Sequence, residues 1–574
     1  MIKENLKKLL FNAFSQLKKE KDYSFNLEKK DIEIITQEKE ERGDYSSNLA
    51  FFLSKKTNQP PQEIAQDFLR IIKKQPNKIL KEIKAEGGFL NFFIAKDFLL
   101  KEFKNFSKKG LKKEKRKKEK IILDFSSPNI AKPMHVGHLR STLLGDALAK
   151  LFDYFGYKTI RWNYLGDWGT QFGKLIVAYK LWGEEKNLKK EGINYLLALY
   201  QKFHQEAKSN PQLEKEAQKE FALLEKGNKE NKKLFNLFLK ESLKEFKKTY
   251  QLLKVKFDIY LGESFFFQQQ NQLINSLKKK GLLKESEGAL IVDLSEFNLP
   301  PALIFKTDEA GLYLTRDLCA LIYRVKKYKP EKILYVVGNE QSLHFNQLFA
   351  LAKKLNINKV ELAHVKFGLI LTPEKKKFST REGELILLND LLKEAQEKSL
   401  KIIQEKHPNW SKEKQIKVAQ KISLSLIKFN VLKTYRLNDV VFDWEKILDF
   451  KGKTSIYLQY TFARLNKILK LSKKEKINYQ EKLDLNEEIE LNLIKKIFDF
   501  PENLSLSLNH LSCHPLANYL LTLADLSNQY YETIPILKEK DLKKKMSRLI
   551  LLKEIIKIFE LGFEFLGIEK LEEI

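Results

Sequence analysis

The chain has 574 residues and is strongly basic, with 105 Lys and Arg against 75 Asp and Glu and a formal net charge of +30. This length predicts several domains, and the charge favours a polyanionic partner, although a lysine-rich proteome would give the same excess. Two distant cysteines, Cys319 and Cys513, argue against a disulfide framework or a zinc ribbon, and the lack of a long apolar run predicts a cytoplasmic protein with no membrane partner.

The first predicted unit covers residues 1–105. A helical start is followed by a turn at Gly43-Asp44-Tyr45 and by a closing apolar strand over residues 88–93, which is typical of an α+β domain. Residues 106–120 form a basic linker. Its lysines either are solvated or contact phosphate, and the sequence leaves both readings open.

From residue 121 to residue 420 strands alternate with helices, which predicts a parallel sheet. We expect strands at 121–125, 159–162, 332–337 and 360–371, and a helical insertion near 173–285. From residue 421 to residue 574 amphipathic helices replace the strands. The predicted fold is multidomain α/β: a Rossmann-like parallel-sheet domain with helical insertions, an N-terminal α+β domain and a C-terminal all-α bundle.

The first strand leads into a motif that can bind phosphate. His135-Val136-Gly137-His138 stands at the start of a helix whose apolar residues recur at helical spacing until Gly156. Free N–H groups and the helix dipole attract phosphate at such a position, and Gly137 leaves room for a nucleotide. Doubly wound sheets bind nucleotides at such strand–helix junctions. The sequence therefore predicts an ATP site, although histidines also cap helices without any ligand.

Residues 124–142 resemble the HIGH signature of class I aminoacyl-tRNA synthetases, in the version found in arginyl-tRNA synthetases. Five further segments resemble the same family in the same order: 163–173, 313–317, 335–341, 438–444 and 565–568. The chain is identified as a member of that family on this resemblance. The resemblance implies an arginine–tRNA ligase, which activates L-arginine with ATP to arginyl-adenylate, releases pyrophosphate and transfers arginine to the 3′ end of tRNA(Arg).

The resemblance also implies domain roles and partners. Residues 1–105 would contact tRNA, residues 121–420 would form the catalytic domain, and residues 421–574 would bind the anticodon. Mg²⁺ would accompany ATP, no protein-bound structural metal is expected, and the enzyme would be a monomer.

A set of residues around ATP follows from the same resemblance. Residues 375–383 stand in place of the KMSKS loop, with Thr380 where its second lysine is expected. In arginyl enzymes a lysine before the first histidine supplies that charge, and Lys132 occupies the place. Positive charge is needed because adenylate formation develops negative charge on phosphoryl oxygens. The catalytic candidates are Lys132, His135, His138, Lys377 and Arg381, and the ATP-binding candidates are Ser127, His135, Gly137, His138 and Ser379.

Arginine recognition requires carboxylates, because a guanidinium is always charged and presents paired planar donors. Asp317 is the first candidate, with Tyr313 one helical turn earlier. The resemblance extends the arginine-binding set to Asp124, Asn129, Glu263, Tyr313, Asp317 and Gln341, of which Asn129 and Gln341 would bind the backbone end of the amino acid. Any one of these residues could instead cap a turn or lie hydrogen-bonded in the core.

The anticodon candidates, again by resemblance, are Tyr457, Gln459, Tyr460 and Arg464. Aromatic rings can stack on unpaired bases and an arginine can pair with phosphate, whereas core packing is the alternative for each aromatic residue. Two rival functions stay open. One is another class I aminoacyl-tRNA synthetase, and the other is a catalytically silent tRNA-binding paralogue, which the departure at Thr380 would suit.

Overall fold

A computed structural model describes residues 2–37, 40–111, 113–305, 313–376, 386–449, 452–472 and 482–574. The chain divides into two compact units that interleave along the sequence. Unit 1 comprises Met1–Lys112, Arg464–Glu502 and Thr522–Phe559. Unit 2 comprises Lys113–Ala463, Asn503–Leu521 and Glu560–Ile574.

The N-terminal part of unit 1 is an α+β domain. Its elements are α1 (Ile2–Lys21), β1 (Ile35–Thr36), β2 (Tyr45–Ser47), α2 (Leu49–Thr57), α3 (Pro61–Lys73), β3 (Leu80–Glu86), β4 (Phe89–Ile94) and α4 (Lys96–Lys109). The strands form an antiparallel sheet in the order β1-β2-β4-β3. Gly43 precedes β2 with a φ of +77°, and a β-carbon there would lie 2.7 Å from the carbonyl oxygen of Phe92. Only glycine fits this predicted turn.

Unit 2 is built on a parallel sheet in the order β12-β11-β5-β6-β7. Its elements through that sheet are β5 (Lys120–Asp124), α5 (Val136–Tyr154), β6 (Lys158–Asn163), α6 (Gln171–Trp182), α7 (Glu185–Glu191), α8 (Ile193–Ser209), α9 (Gln212–Glu225), α10 (Lys229–Leu252), β7 (Ile259–Tyr260), α11 (Glu263–Phe267), α12 (Gln270–Lys279), β8 (Leu283–Ser286), β9 (Ala289–Val292), β10 (Ala302–Phe305), α13 (Tyr313–Tyr328), β11 (Lys332–Tyr335), α14 (Ser342–Lys354) and β12 (Glu361–His364). Strands β8, β9 and β10 form a separate antiparallel sheet.

The strand order places the start of α5 at a topological switch point. β6 pairs with one edge of β5, and β11 pairs with the other. Residues 121–123 of β5 are fully buried, as expected for a central parallel strand covered on both faces. The segments that follow β5 and β11 therefore open onto one crevice at the carboxyl ends of the strands, where doubly wound sheets bind ligands.

The structure differs from the predicted elements at three places. β7 lies within the expected helical insertion at 173–285 and adds an edge strand to the main sheet. The expected strand at 360–371 is two strands, β12 and β13 (Ile370–Leu371). β13 pairs with β14 (Val440–Val441), beyond residue 421, where strands were expected to end. Strands of two residues carry too little alternation to be detected in a sequence.

Helices account for most of the remaining chain. They are α15 (Leu388–Lys406), α16 (Lys412–Leu432), α17 (Trp444–Ile447), α18 (Ser455–Leu471), α19 (Glu488–Asn509), α20 (His514–Thr533) and α21 (Leu542–Leu566). The expected boundary after residue 420 falls inside α16, and the expected linker at 106–120 begins inside α4. Within the described ranges, no helix combines the length and the apolar character that crossing a bilayer requires.

Candidate active site

The two histidines of the motif cap α5 reciprocally. The N–H of Gly137 donates to His135 Nδ1 over 3.1 Å, and the N–H of His135 donates to His138 Nδ1 over 3.2 Å. The two ring centroids lie 4.0 Å apart. Because Nδ1 accepts in both rings, the proton of each neutral imidazole is on Nε2. Each ring therefore keeps an Nε2–H donor for a ligand.

Burial lowers the pKa of both imidazoles. The pKa of His138 falls to about 3, because burial and, to a smaller extent, His135 disfavour its charged form. Burial and then the charge of Lys132 lower the pKa of His135. Both rings are therefore neutral near pH 7, and they can donate to phosphate oxygens without first being protonated.

The backbone of the first turn differs from the expectation of free phosphate-binding N–H groups. The N–H of Val136 donates to the carbonyl oxygen of Ile386, and the N–H of His138 donates to that of His135. The N–H of Gly137 is bound by His135 Nδ1. The histidine side chains, rather than these three N–H groups, are the donors that the first turn offers to a phosphate.

Lys132 lies in the loop before α5, next to the histidines. Its Nζ lies 4.8 Å from the ring centroid of Tyr200 on α8, and its side chain is exposed. Its charge contributes to the lowered pKa of His135. The structure thus brings one cation and two neutral donors together. The other loop candidates, Lys377, Ser379 and Arg381, lie outside the described residues.

The three carboxylates expected to bind arginine each have a partner within the chain. Arg324 Nη2 lies 2.7 Å from Asp124 Oδ2, Arg316 Nε lies 2.8 Å from Glu263 Oε2, and His344 Nε2 lies 2.6 Å from Asp317 Oδ2. The guanidinium of Arg324 is also surrounded by the rings of Trp162, Tyr164 and Tyr335, at 4.5, 5.3 and 5.5 Å.

Asp124 and Glu263 are the buried carboxylates of the set. They are 4% and 7% exposed, and burial raises the pKa of Asp124 and raises that of Glu263 to about 8, against the opposing effect of their arginine partners. Buried charges are tolerated only when they are paired. In this structure both carboxylates are paired with the chain's own arginines, and their assignment to the substrate guanidinium stays a prediction.

Asp317 is the accessible carboxylate of the set. Its side chain is 21% exposed, and Tyr313, one turn earlier on α13, is 57% exposed. The guanidinium of Arg316 lies 4.8 Å from the Tyr313 ring centroid while its Nε contacts Glu263. The carboxylate of Asp317 and the ring of Tyr313, both at the start of α13, are therefore accessible to solvent.

The remaining candidates follow neighbouring strands. Ser127 Oγ lies 3.4 Å from Asp124 Oδ1. Asn129 pairs with the backbone of Gly166, and its side-chain oxygen occupies the space that a β-carbon at Gly166 would need. Gln341 is exposed immediately before α14. Because β5 and β11 are adjacent, these residues lie at the same end of the sheet.

Sequence reasoning missed Arg316, Arg324 and His344. Arg324 follows Asp317 by seven residues on α13, so both lie on one helix face, and a charged residue on that buried face was an available signal. The pairings of Arg316 and His344 join residues from different elements, and no local pattern shows them.

The anticodon candidates occupy different environments. Gln459 is fully buried, and its Nε2 donates to the carbonyl oxygen of Glu569 over 2.7 Å and to Ser425 Oγ over 3.1 Å. This side chain is held in the core of unit 2, and its assignment as a tRNA contact stays a prediction. Tyr457 and Tyr460 are partly exposed. Arg464 lies 4.5 Å from the ring centroid of Tyr531, within unit 1.

Three family models match the chain in succession. Residues 1–94 match "Arginyl tRNA synthetase N terminal domain", residues 103–444 match "tRNA synthetases class I (R), catalytic domain", and residues 458–574 match "DALR anticodon binding domain".

Whole relatives give the same result. Two proteins named arginine–tRNA ligase, from Clostridium botulinum (strain Langeland) and Alkaliphilus metalliredigens, are each 39% identical to this chain; the matches cover 97% and 93% of this chain and 98% and 94% of the relatives. The crystal structure of arginyl-tRNA synthetase from Plasmodium falciparum matches with a TM-score of 0.81 and 28% identity, covering 100% of this chain and 99% of that one. The arginyl-tRNA synthetase of Thermus thermophilus, at 22% identity, has the same fold over 100% of both chains with a TM-score of 0.82.

Proposed function

The chain belongs to the arginyl-tRNA synthetases of class I and is an arginine–tRNA ligase, and from this premise we propose roles for its residues. Lys132, His135 and His138 stabilise the charge that develops on the phosphates of ATP. The observation that carries this proposal is the reciprocal cap, which directs both Nδ1 atoms into the helix and leaves two neutral Nε2–H donors.

The reaction has two steps. The carboxylate of L-arginine attacks the α-phosphorus of ATP, a carboxylate–phosphorus bond forms, and pyrophosphate leaves. A hydroxyl of the 3′-terminal ribose of tRNA(Arg) then attacks the arginyl carbonyl, and AMP leaves. Fixed donors near the phosphates act on the first step, because charge on the phosphoryl oxygens is greatest in its transition state. Lys377, Ser379 and Arg381 complete this set in the proposal.

We infer that the substrate guanidinium binds Asp317, with Tyr313 beside it. Asp124 and Glu263 act indirectly. Their ion pairs with Arg324 and Arg316 fix α13, the helix that also carries Asp317. Ser127 contacts ATP, and Asn129 and Gln341 hold the amino and carboxylate groups of arginine. A site that pairs a carboxylate with a planar fork rejects neutral amino acids, because its charge would be left unpaired.

The partners follow from the family. ATP, arginine and tRNA are the substrates, and Mg²⁺ enters with ATP; the described residues contain no group of three or more His, Cys, Asp or Glu placed as metal ligands. We propose that residues 1–105 contact tRNA and that residues 421–574 bind its anticodon through Tyr457, Tyr460 and Arg464. A cytoplasmic monomer is the proposed state.

ATP–pyrophosphate exchange with each amino acid, with and without tRNA, tests the proposal. Of the amino acids tested, only arginine should support exchange. Asp317→Asn should raise KM for arginine by about 10²-fold with KM for ATP unchanged, because the guanidinium loses its charged partner. Asp293→Asn, an exposed carboxylate paired with Lys284, is the matched control. Equal KM for arginine in both variants would refute the assignment of Asp317, and no exchange at all would favour the silent paralogue.

A further inference from the structure

The loop between β5 and α5 has an uncommon backbone. Ser126, Ser127 and Ala131 have φ values of +74°, +48° and +62°. Residues with a β-carbon seldom adopt this left-handed conformation, because the β-carbon crowds the following carbonyl, and such residues persist only where their surroundings hold them. The same loop carries Ser127 and Asn129, to which we have assigned ATP and arginine contacts.

Helix α10 holds this loop at both ends. Tyr250 Oη lies 2.8 Å from Ser126 Oγ, and Ser242 Oγ accepts the N–H of Ala131 over 2.9 Å. Tyr250 is 2% exposed and Ser242 is fully buried. The two residues are eight positions apart, which places them on one face of the helix about 12 Å apart along its axis. One helix face therefore binds the first and the last left-handed residues of the loop.

The hydrogen bonds at Tyr250 run in one direction. Asn163 Nδ2 donates to Tyr250 Oη over 2.9 Å, and the Tyr250 hydroxyl donates to Ser126 Oγ. Thr142 Oγ1 lies 2.8 Å from Ser126 Oγ and 2.7 Å from the carbonyl oxygen of His138. Since a carbonyl only accepts, the single proton of Thr142 goes to His138, and Ser126 donates to Thr142. This series of hydrogen bonds thus runs from the side chain of Asn163 to the first turn of α5.

We propose that Tyr250 and Ser242 are positioning residues for adenylate formation. They hold residues 126–131 in the left-handed conformation and so place Ser127 and Asn129 against ATP and arginine, without touching either substrate. The inference rests on the function proposed above for Ser127 and Asn129. It assigns to α10, which lies in the helical insertion, a direct structural connection to the active site.

Two variants and two matched controls test this role. Tyr250→Phe removes the hydroxyl that binds Ser126, and Ser242→Ala removes the acceptor of the Ala131 N–H. Tyr260→Phe removes another hydroxyl from a half-buried tyrosine close by, 6.5 Å from Tyr250 between ring centroids. Ser107→Ala removes a buried helical hydroxyl of unit 1 that donates to the carbonyl oxygen four residues earlier, as Ser242 does.

We expect each test variant to lower kcat/KM for ATP and arginine by about tenfold or more, since small misplacements at a reacting centre have effects of this size. Each control should stay within about twofold, because neither contacts the loop. Equilibrium binding of ATP, measured by calorimetry on the full chain, and the melting temperature are recorded for every variant. Wild-type kcat/KM in both Tyr250→Phe and Ser242→Ala would overturn the proposal, even if their melting temperatures fell.

A double-variant cycle separates positioning from general destabilisation. If Tyr250 acts through Ser126, then Tyr250→Phe combined with Ser126→Ala should lose no more activity than the more impaired single variant. Losses that multiply would overturn this route. Should Tyr250→Phe not fold, Ser242→Ala still decides the question from the other end of the loop. If the wild type charges no amino acid, the proposed function fails, and ATP binding alone still tests the loop.

Discussion

At the scale of single residues, each histidine of the motif uses one ring nitrogen for the helix and leaves the other for a ligand. His135 Nδ1 and His138 Nδ1 accept backbone N–H groups, which fixes the tautomer of both rings. Because burial keeps both rings neutral near pH 7, the arrangement supplies donors without placing two like charges 4.0 Å apart. In the function proposed above, Lys132 supplies the cation that the chemistry needs.

Gly137→Ala tests whether the ring position of His135 matters. A β-carbon at residue 137 would lie 2.7 Å from His135 Cε1 and 2.8 Å from its Nδ1, so the ring must turn away and lose its cap. Alanine is favoured over glycine in a helix by up to about 1 kcal/mol, which offsets the cost of about 0.5–2 kcal/mol for the lost cap, so the melting temperature should change little. We expect arginine-dependent pyrophosphate exchange to fall about 10²-fold. Wild-type exchange would show that the ring position is unimportant.

Residue patterns predicted part of this site. The motif groups His135, His138 and Lys132 because they lie within seven positions of the chain, and their roles stay predictions. It could not show that Asp124 is paired with Arg324, two hundred positions later. Such a pairing depends on how β5 and α13 pack, and a sequence without that packing suggests only that a buried carboxylate needs some partner.

At the scale of elements, α5 packs against the sheet through Gly145. A β-carbon there would overlap the ring of Phe125, which is fully buried and lies 4.4 Å from the ring of Phe257 between centroids. The ring therefore has little room to move. Unlike Gly137, whose neighbour is a side chain at the crevice, Gly145 sets the distance between a helix and a strand.

Gly145→Ala should therefore lower stability by about 1–3 kcal/mol, the usual effect of overpacking a core. Thermal unfolding measured beside Gly137→Ala gives a matched comparison, since the same substitution is made on the same helix eight residues away. Adding Phe125→Leu should recover part of the loss by freeing volume. An unchanged melting temperature in Gly145→Ala would mean that α5 can move away from β5 without cost.

The longer elements were predictable because their patterns are repeated. The strand expected at 159–162 is β6 (Lys158–Asn163), and the helix expected to end near Gly156 is α5, whose Gly156 has a φ of +84°. β7 and β14, with two residues each, were missed because only their pairing partners define them. The role of α10 was missed for a related reason, since Ser242 and Tyr250 look like ordinary core positions of an amphipathic helix.

At the scale of the whole molecule, the compact units are discontinuous in sequence. Unit 1 takes residues from three separate ranges, and so does unit 2, whereas composition and periodicity divide a chain only into consecutive segments. The C-terminal helices α18, α19, α20 and α21 each contribute to both units. Composition and periodicity therefore indicate which kinds of domain are present, but they do not show which distant segments share a core.

The net charge of +30 belongs to this scale, because it concerns the field of the entire chain. If the lysines serve tRNA binding, each phosphate contact releases counterions, and log Kd should rise linearly with log salt concentration. Six to ten contacts would weaken tRNA affinity by about 10³- to 10⁵-fold between 50 and 200 mM salt. KM for arginine, which relies on a few local contacts, should change far less.

Filter binding of tRNA(Arg) across that salt range measures the slope, with KM for arginine measured in the same buffers as the internal reference. A steep slope of log Kd against log salt concentration would show that the excess positive charge serves tRNA binding. A slope near zero would contradict that assignment and leave the lysines as solvated surface residues, the alternative that composition alone kept open. Between 50 and 200 mM salt, lysines that bind phosphate predict a loss of tRNA affinity of several orders of magnitude, whereas solvated lysines predict almost none. A single titration series therefore distinguishes the two roles.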